Sequence, residues 1–277
     1  MHLTREHIDA YCLSLLADER SAGTISKYRR DLTAFSLWLD GRAVTKESAT
    51  AWKACLLNRD YAPRTINSML AAVNGFCRFA GLPIKLKFLS IQRQIFRDSA
   101  RELTKEEYDR LLAAAREGDQ ERLALIMETL CATGIRVSEL RYITVEAALA
   151  GRATITLKGK IRTILLPAKL CRKLVKYARK QKTASGEIFL TKSGRPITRR
   201  QVWFELKRLC KAAGVEPTKV FPHNLRHLFA TTFYRASRDI VRLADMLGHS
   251  SIDTTRIYLT VSGTEQQRQL DRLGLVS

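Results

Sequence analysis

Residues 153–167 read ATITLKGKIRTILLP, and at this stretch the chain changes period. Ile155 and Leu157 alternate with Thr154 and Thr156, Gly159 breaks the run, and Thr163 to Leu166 resumes it. Two-residue periodicity interrupted by a turn is the pattern of a β-hairpin. A short segment, EIFLT at 187–191, precedes the turn KSGRPI and reads as a third strand. On either side of this region the pattern is helical, and from Thr198 onward it stays so to the end. The expected fold class is therefore mainly α (α+β), with a small three-stranded antiparallel sheet set into the second half of the chain.

The first 82 residues hold four helix-period segments and no convincing strand. In SAGTISKYRRDLTAFSLWL, Ile25, Tyr28, Leu32, Phe35 and Leu39 recur at three- and four-residue steps. In APRTINSMLAAVNGFCRFAG the stripe is Ile66, Met69, Leu70, Val73, Phe76, Cys77 and Ala80, with Pro63 near the start and Gly81 placed to end it. Segments from about Thr4 and Thr45 complete a small helical bundle over 1–82. Residues 83–101, PIKLKFLSIQRQIFRDSAR, show no clean period and are expected to be an extended, basic linker. Thr104 followed by Glu107 is a capping box that opens the second domain, 102–277, and a helix over roughly 120–132 ends at Gly134.

The chain has 277 residues and a formal charge of +21 from 48 Lys+Arg against 27 Asp+Glu. Such a field attracts a polyanion, ordinarily nucleic acid. Residues 169–211 alone carry 14 basic and 2 acidic side chains, with Tyr177, Trp203 and Phe204 among them. A run so lopsided repels itself unless something anionic lies against it. The 6 cysteines are spread singly without metal-ligand spacing, so they read as reduced and mostly buried. With no apolar run of about 18 residues and no leader pattern, a cytoplasmic protein without a membrane partner is expected.

Of 5 histidines, 3 fall within 27 residues: His223 and His227 in PHNLRHLF, and His249 in LGHSSIDTTRIYLTV. His223 and Arg226 share a helix face by their spacing; an HxxR pair by itself is a weak signal. Four motifs in order make it strong: TGIRVSEL, LKGKIRTILLP, HNLRH and LGHSSIDTTRIY. With them the chain resembles the tyrosine recombinase family, also called phage integrases. The resemblance implies a catalytic set of Arg136, Lys158, His223, Arg226, His249 and Tyr258. It implies a helical, SAM-like core-binding domain followed by a mostly helical catalytic domain, as in the compact Xer-like or mobile-element integrases, and no arm-binding domain. It further implies a double-stranded DNA core site as substrate and a monomer in solution that forms a tetramer on synapsed DNA, associated with the nucleoid. An accessory or directionality factor is a possible partner of such proteins. The cations expected on DNA are Lys27, Arg30, Arg64, Lys85, Lys87 and Arg93, then Lys160, Arg162, Lys173, Lys176, Arg199 and Arg200.

The chemistry fits those residue types. A phenol is barely ionised at neutral pH, so a tyrosine nucleophile needs help, and His223 suits a proton acceptor. Charge grows on the non-bridging oxygens during attack, and the fixed forks of Arg136 and Arg226 suit it. His249 suits a further donor, and Lys158 or its neighbour Lys160 a proton source for the departing 5′ oxygen. No step needs a cofactor or metal. Three other readings use the same residues: a type IB topoisomerase, a DNA-binding regulator with a relic site, and a metal nuclease built on His223, Asp245 and His249. The tail, with Leu270, Leu273 and Val276 as an apolar stripe, packs either on its own domain or on a neighbour.

Overall fold

The computed structural model describes residues 1–91, 99–157, 160–258 and 271–273. The chain divides into two compact units, Met1–Arg93 and Gln94–Ser277, each with its own core.

The first unit is four helices: α1 (Arg5–Ala17), α2 (Ala22–Leu39), α3 (Lys46–Asn58) and α4 (Pro63–Phe79). Thr4, Ser21 and Thr45 each accept a backbone N–H of the following turn, and Pro63 occupies the first turn of α4, where its missing N–H costs nothing. The stripes meet in the middle: Leu32, Phe35, Ile66, Leu70, Val73 and Phe76 are fully buried. Each such side chain contributes on the order of 2 kcal/mol by leaving water.

Residues 83–91 differ from the linker expectation, because they run extended along this unit. Asn74 clasps Leu86 in both directions, Nδ2 donating to its carbonyl at 2.9 Å and Oδ1 accepting its N–H at 2.7 Å. Asn67, seven residues earlier and so on the same face of α4, treats Leu89 in the same way at 2.9 and 2.7 Å. Lys46 and Lys53 bond the carbonyls of Lys85 and Lys87. The segment pairs with side-chain amides instead of a strand, so it has no period of its own. Of the rest of the expected linker, 92–98 lie outside the described residues and Ser99–Arg101 form a 3-10 turn.

The second unit centres on α6 (Glu121–Thr133), which packs against α5 (Lys105–Glu117), α8 (Ala168–Lys180), α9 (Arg199–Ala213) and α10 (Pro222–Ser237). The capping box at Thr104 forms as expected, and α6 ends at Gly134. After α7 (Val145–Ala150) come β1 (Arg152–Leu157) and β2 (Lys160–Leu165), antiparallel with Arg152 opposite Leu165 and Leu157 opposite Lys160. Two short helices, α11 (Ile240–Leu247) and α12 (Ile252–Arg256), close the described fold.

The sheet has two strands among the described residues. The expected third segment does not join it: Glu187 bridges Thr144, and Ile188 donates its N–H to Ile143 at 3.2 Å. Its other side turns back on itself, with Ile197 donating to Phe189 at 3.0 Å. The hydrogen-bonding edge that EIFLT needs is supplied by residues 143–144, ahead of α7, rather than by the hairpin.

Candidate active site

Arg226 lies at the bottom of the site, in the first turns of α10, and is 2% exposed. Nη1 donates to the Gly134 carbonyl at 2.5 Å, and Nη2 to the Leu247 carbonyl at 2.7 Å. Those carbonyls end α6 and α11, so two helix C-termini, the negative ends of their dipoles, converge on one buried cation. Burial lowers the Arg226 pKa from its ordinary value, and the nearby Arg136 charge pushes the same way.

The glycines that end these helices are required by shape. Both take left-handed backbone, with φ +64 at Gly134 and at Gly248. A Cβ on Gly134 would sit 2.3 Å from the Phe229 ring, and one on Gly248 would sit 2.3 Å from Nη1 of Arg162. The TG and LG of the two motifs are thus a packing condition for the arginines and histidine that follow.

Arg136 comes two residues after Gly134, at the head of a 3-10 turn, Val137–Tyr142. Its backbone N–H and Nη1 both go to Glu139, at 2.7 and 3.1 Å. Glu139 is 1% exposed and holds a second cation, Arg162 of β2, at 2.7 Å.

His249 stands between Arg226 and Thr255. Nη2 of Arg226 lies 2.9 Å from its Nε2, and its Nδ1 lies 2.9 Å from the Thr255 hydroxyl. A guanidinium only donates, so Nε2 accepts and the ring proton sits on Nδ1. Burial first, then the Arg226, Arg136 and Arg162 charges, bring its pKa down to about 4. In this state His249 offers a lone pair to the arginine, where the sequence reading had it donating.

Tyr258 follows α12 and is 4% exposed. Its ring stacks on His249 at 6.0 Å and 10° and tilts against His227 at 5.1 Å. The phenol lies near enough to the Arg226 guanidinium to favour its charged form. Above these residues a cleft of about 680 Å³ is lined by Arg136, His223, Arg226, Arg199, Arg200 and Trp203.

Five of the six residues expected for catalysis are therefore neighbours, and the sixth, Lys158, lies outside the described residues, as does Arg93. Lys160 opens β2. Of the expected DNA contacts, Arg199 and Arg200 share the cleft. Lys173 and Lys176 line a separate depression with Glu121 and Glu128, and Arg162 is turned inward onto Glu139. Lys27 and Arg30 both pair with Asp31, while Arg64, Lys85 and Lys87 are exposed on the first unit. Glu139 and Thr255 were missed. The only sequence signal for Glu139 was its place three residues after Arg136, a capping-box spacing with an arginine at its head. Among the described residues, no group of three or more His, Cys, Asp or Glu is placed to hold a metal ion, and no helix is long and apolar enough to cross a membrane.

The sequence pattern of the phage integrase family matches residues 101–265, and that of the phage integrase N-terminal SAM-like domain matches residues 8–81. The chain belongs to the phage integrase family. It is 30% identical to tyrosine recombinase XerA of Pyrococcus furiosus, over 99% of this chain and 96% of that protein. With tyrosine recombinase XerC of Roseiflexus castenholzii it shares 33%, over 91% and 88%. Its fold is that of XerH site-specific recombinase bound to a difH substrate, with a TM-score of 0.70 at 18% identity, covering 97% of this chain and 84% of that one. A lambda integrase tetramer bound to a Holliday junction matches at TM-score 0.70 and 20% identity, covering 91% and 76%.

Proposed function

We propose that this family member is a site-specific DNA recombinase that cuts and rejoins strands through a covalent 3′-phosphotyrosine. The observation that carries the reading is Tyr258 stacked on His249, itself on Arg226, beside a cleft that also holds Arg136 and His223. A phosphate entering the cleft meets Arg226 beside the phenol. The Tyr258 oxygen then forms a bond to phosphorus as the bond to the 5′ oxygen breaks. His223 takes the phenol proton, Lys158 gives one to the leaving oxygen, and Arg136 and Arg226 hold the charge on the non-bridging oxygens. His249 adds a hydrogen bond once the phosphate draws Arg226 away from its Nε2 and the ring proton passes from Nδ1 to Nε2, the Thr255 hydroxyl then donating to Nδ1. Energy is conserved in the phosphotyrosine, so a 5′ hydroxyl from another strand reverses the step and reseals the DNA.

Two protomers sit on each core site and four in the synapse, on the nucleoid in the cytoplasm. A pocket of about 570 Å³ lined by Tyr108, Leu170, Leu228, Phe229 and Phe233 suits the apolar stripe of a neighbour's tail. Leu273, the one stripe residue among those described, is exposed. With the first unit, Met1–Arg93, as core-binding part and the second, Gln94–Ser277, as catalytic part, the chain grips DNA at two places.

Tyr258→Phe tests the reading, since it removes one oxygen. The expected result is no covalent protein–DNA adduct on a nicked suicide substrate, with affinity for the site within about twofold, as one lost neutral hydrogen-bonding group predicts. An adduct formed by the Phe variant would overturn it.

A further inference from the structure

Arg162 was expected on DNA, and its bonds go elsewhere. Nη2 meets Glu139 at 2.7 Å, Nη1 meets the Met246 carbonyl at 3.1 Å, and the side chain fills the space beside Gly248. The side chain is 16% exposed. One residue of the hairpin thus touches the carboxylate that seats Arg136, the end of α11, and the residue before His249.

Charge bookkeeping gives these contacts a purpose. Glu139 is buried and meets two cations, through Oε2 to Arg162 and through Oε1 to Arg136 at the longer distance of 3.1 Å. The carboxylate's stronger partner is Arg162, and Arg136 keeps its fork 41% exposed in the cleft wall. Without Arg162, a buried carboxylate has one cation left and pulls it in, because an isolated buried charge costs several kcal/mol. Arg136 would then clasp Glu139 with the N–H groups a phosphate needs.

The geometry points to Arg162 as a positioning residue: it neutralises Glu139 so that Arg136 faces the phosphate, and it holds the hairpin against the His249 turn, without contacting DNA itself. This rests on the role given to Arg136 above. It is read in the chemistry of the phosphate, not in the affinity for DNA.

The experiment compares single-turnover cleavage of two suicide substrates by the full chain, one ordinary and one carrying an uncharged methylphosphonate at the scissile position. A residue that acts by countering charge on the non-bridging oxygens loses its importance when that charge is absent. Arg162→Gln should cleave ordinary DNA about 100-fold more slowly than wild type, the scale of one lost charge-stabilising donor. On methylphosphonate DNA it should come within about threefold of wild type, and the salt slope of its DNA binding should be unchanged. Arg136→Ala is the control. If Arg136→Ala is rescued and Arg162→Gln is slow on both substrates, the inference is wrong. If Arg136→Ala is itself slow on both, it is the role of Arg136 that fails. A variant with both Glu139→Gln and Arg162→Gln removes the buried charge along with its partner, and serves if the single variant does not fold. It should cleave ordinary DNA at least about 10-fold faster than Arg162→Gln, or within about 10-fold of wild type if the single variant cannot be measured. A double variant slower than that overturns the proposal, as does a salt slope that falls when Arg162 is replaced.

Discussion

Helices α8 and α9 come from the same basic stretch, and they use their charge in opposite ways. On α8, Lys173 bonds Glu128 at 2.5 Å and Lys180 bonds Glu121 at 2.6 Å, both carboxylates belonging to α6. At the start of α9, Arg199 and Arg200 face the cleft with Arg136, His223 and Arg226, all of one sign or neutral. The one carboxylate on α9, Glu205, is taken by Arg122 of α6 at 2.5 Å. A run of cations is satisfied or left open according to acids that lie far off in sequence. In this molecule the open end is the one beside the cleft of Arg136, His223 and Arg226.

The largest effect that would break the contrast is at α9. Arg199→Glu combined with Arg200→Glu should weaken DNA binding by about 100-fold near 0.1 M salt and flatten the log–log salt slope by about 1.8, two phosphates' worth. Binding measured across a salt series checks both numbers. An unchanged slope would put α9 off the DNA and leave the two helices alike.

The contrast also marks what can be read without a structure. The stripes of α2 and α4, the helix starts near Thr4 and Thr45, the capping box at Thr104, and the hairpin at 153–167 were legible because each is decided within one or two turns of chain. That Arg136, His223, Arg226, His249 and Tyr258 gather in one place was legible through motifs whose glycines, Gly134 and Gly248, turn the chain just ahead of Arg136 and His249. The Arg162–Glu139 pair spans 23 residues and Lys180–Glu121 spans 59, and no local period reports such distances. The argument that the basic stretch repels itself without an outside anion failed at α8 for this reason. EIFLT misled in the same way: it forms isolated bridges instead of a strand, and the edge it meets lies ahead of α7.

The next effect is electrostatic and sharpens the same comparison. Lys180, bonded to Glu121, has its pKa raised, whereas His249 is pushed down to about 4 by burial and by three arginine charges. A histidine so depressed is neutral when folded, while the unfolded chain binds its proton below about 6.5. Stability from this group is therefore complete above about pH 6.5 and is lost as pH falls toward 4. NMR of the His249 ring in the Tyr258→Phe protein should give a midpoint near 4 for the free chain. With DNA bound, phosphate charge opposes that of the arginines, and the midpoint should rise by about one unit or more. A free-chain midpoint near 6.5 would mean that the cleft's cations are screened as well as those of α8.

The smallest effect belongs to α8, and its smallness is the point. If Lys173 and Lys180 already spend their charge on Glu128 and Glu121, reversing both should leave the salt slope where it was, because no phosphate is lost from the contact. Affinity should fall by no more than about threefold, through the lower overall charge of the protein. The change should instead appear in folding. Lys173→Glu places a carboxylate against Glu128, which then keeps only Arg116, at 2.6 Å. Thermal or urea unfolding should register a loss of about 1 kcal/mol, the scale of a partly exposed pair turned repulsive. Glu128→Gln introduced beside Lys173→Glu should recover most of it, because it removes the repulsion and leaves α8 where it was. A slope that flattened with α8 reversed would show that DNA displaces the α6 carboxylates from their lysines, and both helices would then belong to the binding face.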